Sequence, residues 1–249
     1  MDAERRFGGI ARLYGLAGAQ RIRDSHIAVI GIGGVGSWAV EALARNGVGK
    51  LCLIDLDHIA ESNINRQIHA LDSTLGQAKV LAMKERIAQI NPQCEVHCIE
   101  EFVQPENWPV ILPVGVNAVI DACDQNKAKL AMAAWAMKND SIFISVGAAG
   151  GKKLAHLVEI ADLSKVTHDP LLAKLRYDLR RHHGAAKEGA KIGVECVFSR
   201  EAVQAPDASC GVALDGSLNC SGYGSQVAVT ATLGQCAAGW ILDRVSRGA

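Results

Sequence analysis

The run HIAVIG (26–31), followed by IGGVG (32–36) and SWAVEALARNG (37–47), decides how this chain folds. HIAVIG is a short β-branched apolar segment ended by glycine and reads as a buried strand. The apolar spacing from Val35 through Leu43, stopped at Gly47, predicts a helix. Outward from this strand–turn–helix unit the alternation continues. KLCLID (50–55) reads as a strand, AKVLAMKERIAQI (78–90) as an amphipathic helix ending before Pro92, and CEVHCIE (94–100) and VNAVID (116–121) as strands. A helix follows over Lys127–Lys138, then a strand at 142–146. Strands alternating with helices predict an α/β, Rossmann-like, doubly wound and mostly parallel sheet. In the C-terminal half, LAHLVEI (154–160) and IGVECVFS (192–199) read as additional strands, antiparallel to the rest, with a basic helical segment between them. Residues 206–224 read as a long loop, and 225–245 as a final helix. The expectation is one domain over 1–249, made of a first half at about 24–150 and a second half at about 151–249.

With 249 residues and roughly 150 per domain, one large domain or two small ones is the prior, and the core is sizeable. Hydrophobic residues at 49% and charged residues at 21% exclude a disordered chain. Lys plus Arg (26) balances Asp plus Glu (26), so a nucleic-acid or membrane partner has to be sought in local patches. The N-terminal MDAERRFGG lacks the layout of a secretory signal, which points to the cytoplasm. The eight cysteines include no C-x-x-C pair, so they read as reduced thiols and no structural zinc is expected. Residues 222–242 carry no charge and have the length of a bilayer span. Their Gly, Thr, Ser and Gln content favours a buried or interface helix over membrane association, which would be peripheral at most.

Gly31, Gly33, Gly34 and Gly36 satisfy G-x-G-x-x-G between a strand and a helix. That arrangement lets backbone approach a phosphate at a helix N-terminus. Asp55 lies 19 residues beyond Gly36 at the end of the next strand, placed to accept from ribose hydroxyls. These features alone specify an adenine nucleotide and leave NAD and ATP open. DLDHIAESNINRQ (55–67) then sets Asp57, Asn63, Arg66 and Gln67 directly after the ribose acid. A nicotinamide has no use for that arginine, whereas phosphates do. Lys79 opens the next helix, and Asp121-Ala122-Cys123-Asp124 ends a strand at the sheet's carboxyl edge. Two cations and a carboxylate able to hold Mg²⁺ beside a nucleotide make a nucleotidyl-transfer constellation, with Arg66, Lys79 and Asp124 as its catalytic members.

GIGGVGS (31–37), LIDLDHIAESNINRQ (53–67), GQAK (76–79) and DACD (121–124) together resemble the adenylating domain of the ubiquitin-activating-enzyme superfamily, which includes bacterial members of molybdopterin and thiamin biosynthesis. RRFGGIARLYG (5–15), NRQIHAL (65–71), DPL (169–171) and VECVFSREA (194–202) are similar to its tRNA threonylcarbamoyladenosine dehydratase branch, over nearly the whole chain. The resemblance implies ATP-dependent, Mg²⁺-requiring activation of a carboxylate as an acyl-adenylate. Gly33 and Asp55 would hold the ribose-phosphate region, Asn63, Arg66 and Lys79 the phosphates, and Asp124 the Mg²⁺. The acid would be the threonyl carboxylate of a modified adenosine in tRNA, closed into a ring with net loss of water. The missing C-x-x-C pairs set the chain apart from zinc-binding members. Activation of a small sulfur-carrier protein's C-terminus is the alternative. A homodimer and a cysteine desulfurase or sulfur-acceptor partner are the protein partners implied.

Several residues carry a sharp and a bland reading side by side. Cys220, in the turn-rich NCSGYG (219–224), is a candidate catalytic thiol, against the default of a small core filler. Lys174, Arg176, Arg180, Arg181, Lys187 and Lys191 form a local basic excess suited to tRNA phosphates, against an ordinary solvated face. Arg5, Arg6 and Arg12 precede the first strand. By resemblance one of them, with Arg12 the candidate, would reach a partner subunit's ATP in trans. His58, His69, His97, His156 and His168 show no metal spacing and read as satisfied structural histidines.

Overall fold

The computed structural model describes residues 2–139, 141–207, 209 and 223–248. Its elements run α1 (Ala3–Asp24), β1 (His26–Ile30), α2 (Gly36–Arg45), β2 (Lys50–Ile54), α3 (Lys79–Ile90), β3 (Glu95–Ile99), β4 (Ala118–Asp121), α4 (Asn126–Asn139), β5 (Ile142–Val146), β6 (Val158–Asp162), α5 (Pro170–His182), β7 (Glu195–Ser199) and α6 (Val227–Arg247). The strands form one seven-stranded sheet in the order β3-β2-β1-β4-β5-β7-β6. All pairs are parallel except β6 with β7, where Ile160 lies opposite Val197, so β7, expected antiparallel, runs parallel to β5 and only β6 is reversed. The sheet therefore draws strands from both halves of the chain.

Side chains alternate across the pleat. Ile27, Val29, Leu51 and Leu53 pack toward α1, α2, α3 and α6, while Ala28, Ile30, Cys52 and Ile54 pack toward α4 and α5. With both faces covered, β1 and β4 are buried at every position. The uncharged 222–242 stretch resolves accordingly. Among the described residues no helix is long and apolar enough to cross a membrane. Val229, Leu233, Ala237, Ile241 and Leu242 of α6 are buried in the core. Gly234 sets how closely α6 approaches α2, since a Cβ built there would lie 2.9 Å from the Ala39 nitrogen and 3.1 Å from Trp38 Cβ.

Three elements differ from the sequence expectation. Helix α1 was not anticipated, because four glycines interrupt its pattern and Leu13 and Leu16 point to solvent. It is broken at Gly15, whose φ of 75° only glycine adopts readily. Strand β6 begins at Val158, not 154. The Glu201 carboxylate accepts from the Lys153 and Leu154 nitrogens at 2.8 and 2.7 Å and holds the preceding chain out of the ladder. Strand β7 begins at Glu195, not 192, because the Ile192 and Gly193 nitrogens donate to the Asp162 carboxylate at 3.0 and 2.7 Å.

Gly234→Val is expected to destabilise the protein by about 1–3 kcal/mol or more through forced separation of α6 from α2, read as a lowered denaturant midpoint.

Candidate functional site

Strands β2 and β3 lie to one side of β1, and β4, β5, β7 and β6 to the other, so the chain reverses direction between β1 and β4. Doubly wound sheets open a crevice at the carboxyl ends of such a pair. A cavity of about 610 Å³ lies there. Gly31 (φ 83°) turns the chain out of β1 so tightly that a Cβ would sit 2.9 Å from the Ala122 oxygen and the Cys123 nitrogen. A Cβ on Gly36 would run into the Gly31 carbonyl oxygen. At Gly33 only Gln67 Nε2 comes within 4 Å of an added Cβ, which leaves open space over the turn. The α2 N-terminus has no side-chain cap and no acid in its first turn, so its amides suit an anion.

The acids and cations around this turn are held by one another. Asp55, buried at the end of β2, accepts from the Ile32 nitrogen at 2.6 Å and the Asp57 nitrogen at 2.9 Å. Burial raises its pKa, a shift partly offset by Lys79 and the two amides. Lys79 opens α3 and reaches Asp57 Oδ2 at 2.8 Å. Asn63 turns the chain by accepting from the Ala60 nitrogen at 3.1 Å through Oδ1. Arg66 Nη1 donates to the Ser62 carbonyl and to Asn65 Oδ1, while the Arg66 carbonyl accepts from Trp38 Nε1 at 3.0 Å. Gln67 is buried and its Oε1 has no partner among the described residues. Asp124 is exposed where the chain leaves β4. Gly31, Gly33, Gly34, Asp55, Asp57, Asn63, Arg66, Gln67, Lys79 and Asp124 all line the one cavity, and the Gly147–Ala149 segment and Leu171 form its far wall.

Asp121 departs from the expected nucleotide contact. Its carboxylate is fully buried behind the cavity, 2.8 Å from Lys129 Nζ, and accepts from Ser145 Oγ at 2.7 Å and Cys123 Sγ at 3.1 Å. Burial alone would lower the Lys129 pKa, but Asp121 outweighs it and the ammonium is retained. The signal was available: Lys129 shares a helical stripe with Met132, Ala133 and Ala136, all buried, so it needed a buried acid. Burial beside Asp121 also pushes the Cys123 thiol far up, leaving it inert. A second buried pair gives the DPL sequence its role. Asp169 caps α5 through the Leu172 nitrogen (3.0 Å), accepts from the Ala148 nitrogen (2.9 Å) and lies 3.8 Å from Lys152 Nζ, which pins the far wall of the cavity.

The remaining candidates are dispersed. Arg176 is a correction to the basic patch, because its Nη1 donates to the Leu163 and Val166 carbonyls at 3.0 and 2.8 Å and holds that turn. Arg180 Nε likewise bonds the Ala186 carbonyl. Lys174 pairs with Asp178, and Arg181 bonds the Tyr177 hydroxyl while staying exposed, as do Lys187 and Lys191. Arg6 caps the end of α3 through the Ile90 carbonyl, whereas Arg12 is exposed on α1. Cys220 lies outside the described residues. His69 is not satisfied as expected: it is buried and neither ring nitrogen has a partner among the described residues. Among the described residues no cluster of three or more potential metal-ligating side chains occurs.

A glycine turn, a buried acid and two cations meet at the switch point of a doubly wound sheet, the layout of a nucleotide-binding α/β domain, and the chain belongs to the ThiF family, whose model matches residues 8–242. It is 43% identical to the tRNA threonylcarbamoyladenosine dehydratase of Haemophilus influenzae over 97% of this chain and 94% of that protein. It is 44% identical to the Escherichia coli protein of the same name, over 96% and 93%. The E. coli tRNA N6-threonylcarbamoyladenosine dehydratase solved in complex with ATP superposes with a TM-score of 0.90 at 43% identity, covering 100% of this chain and 97% of that one.

His69 supplies a pH test. Burial, then Lys79 and Arg86, push its pKa from 6.5 down to about 4. Between those values the unfolded chain takes up a proton that the folded one refuses, so stability falls as pH drops through this window, by up to about 3 kcal/mol. Urea unfolding of His69→Gln between pH 7 and 4 is expected to lose that component of the slope.

Proposed function

We propose that this protein is an ATP-dependent tRNA-modifying enzyme. It adenylates the carboxylate of threonylcarbamoyladenosine in tRNA and drives its cyclisation with loss of water. The convergence of Asp55, Arg66, Lys79 and Asp124 on one cavity carries this reading. Full-length similarity to dehydratases, one of them solved with ATP, supports it.

The chemistry fits these residues. The carboxylate oxygen attacks the α-phosphate and pyrophosphate leaves. The mixed anhydride is then opened by a nucleophile of the same side chain, releasing AMP. Two anions must approach in the first step, so Arg66 and Lys79 leave their present partners to neutralise charge on the phosphates. The Gly33–Val35 amides and the α2 N-terminus hold the nucleotide's phosphate region, and Asp55 the ribose. The second step is intramolecular and gains from proximity without a protein thiol. Asp124 suits Mg²⁺: it is exposed at the cavity, and with no ligand cluster among the described residues the ion would take its other ligands from phosphate oxygens and water. The ion would spread charge over the triphosphate. Lys174, Arg181, Lys187 and Lys191 keep their place as tRNA-phosphate contacts, with Arg176 and Arg180 supporting them from below. A tRNA substrate accords with a cytoplasmic location.

Incubation of modified tRNA with protein and ATP, followed by nucleoside mass analysis, is expected to show loss of one water from the modified adenosine. Arg66→Ala and Lys79→Ala should each lower the rate about 10²- to 10³-fold, and Asp124→Asn should abolish Mg²⁺-dependent turnover without unfolding. Normal pyrophosphate release by these variants would remove the assigned roles.

A homodimer is part of the proposal. Leu13 and Leu16 of α1 are 72% and 80% exposed beside Arg12, an apolar face that a second copy would cover while carrying Arg12 toward its neighbour's ATP. Leu16→Glu is expected to sediment as a monomer where the unaltered protein sediments as a dimer.

A further inference from the structure

A second concavity, of about 420 Å³, lies outside the catalytic cavity and has a different character. Its walls are Pro105, Trp108, Pro109, Leu130, Ala134 and Trp135, and its rim carries Lys127, Lys138 and His183. Trp108 and Trp135 meet edge to face, 5.3 Å apart at an interplanar angle of 88°. Trp108 is nine-tenths buried and its indole N–H has no acceptor among the described residues, while Trp135 is half-buried. Neither Lys127 nor Lys138 makes an ion pair among the described residues. No lining residue is acidic, and Glu101 and Glu106 of the same loop stay outside the lining.

The groove shares its supports with the catalytic cavity. The segment after β3 gives Phe102 and Val103 to the cavity and Pro105, Trp108 and Pro109 to the groove. The start of α4 gives Asn126 and Ala128 to the cavity and Lys127, Leu130 and Ala131 to the groove. On the far side the groove ends at His183, where α5 delivers the basic patch. An aromatic floor with a cationic rim matches an unstacked base and its phosphates.

We propose that this groove is a stacking subsite for a nucleotide adjacent to the modified adenosine. The base lies against the Trp135 indole, and Lys127, Lys138 and His183 face the flanking phosphates. The subsite lets the enzyme bind its target in the splayed geometry that brings the modified side chain to ATP, so its energy appears in tRNA binding and not in the chemical step.

The inference rests on the tRNA reading of the catalytic cavity. The experiment is a double-mutant cycle between Trp135→Leu and a modified anticodon stem-loop whose flanking nucleotide is abasic. Trp135→Leu is expected to weaken stem-loop binding and raise the KM for tRNA about ten-fold or more, with kcat, ATP affinity and Tm close to those of the unaltered protein. Trp135→Phe should recover most of the loss. The abasic ligand should bind the unaltered protein as poorly as the intact ligand binds Trp135→Leu, and should lose nothing further in the variant. Lys127→Gln with Lys138→Gln should reduce the salt dependence of binding. The inference is overturned if Trp135→Leu binds the intact stem-loop normally, or if the abasic penalty persists undiminished in the variant. It is equally overturned if the substitution alters only self-association, which would make the groove a protein interface. Failure of the unaltered protein to bind or dehydrate modified tRNA would overturn the functional reading as well. Normal dehydration with an inert Trp135 would overturn the subsite alone.

Discussion

An ammonium group with no water around it must be met by an anion and by oxygen acceptors, and Lys129 meets three: Asp121, Ser145 and the Val146 carbonyl. This one cation ties α4 to the carboxyl ends of β4 and β5, directly behind the chain that carries Asp124. The pair brings little net stability against an apolar substitute, yet removing either partner alone would strand a buried charge at about 3–5 kcal/mol. Its effect is geometric. The end of β4 is tied to α4 and β5, and the Gly31 turn packs against the Ala122–Cys123 backbone at the floor of the cavity.

On that floor the charged side chains are paired within the protein: Lys79 rests on Asp57, Arg66 on Ser62 and Asn65, and Asp55 on the Ile32 amide. None of these groups is left bare in a partly enclosed site.

The parts of this molecule written in local pattern were legible from the sequence. The Gly31–Gly36 turn, strands β1 to β5 and the ordered Asp55, Arg66, Lys79 and Asp124 depend on period, turn chemistry and residue type within short windows. What escaped depends on distant partners. Asp121 looks like a ligand until Lys129 and Ser145 are seen against it, and Arg176 looks like a phosphate contact until its carbonyl acceptors are placed. His69 looks like a satisfied core residue until both nitrogens prove bare. Helix α1 hides behind its glycines, and the late starts of β6 and β7 are set by Glu201 and Asp162 from other parts of the chain.

A Cβ built on Gly34 would lie 3.3 Å from Thr230 Cγ2, so the first motif of the chain sits close against its last helix. Helix α6 also covers the face of β4 and β5 that would otherwise lie open. During synthesis, the glycine turn and its charged neighbours leave the ribosome long before α6, so the cavity they line gains its Thr230 wall only after the whole sheet has emerged.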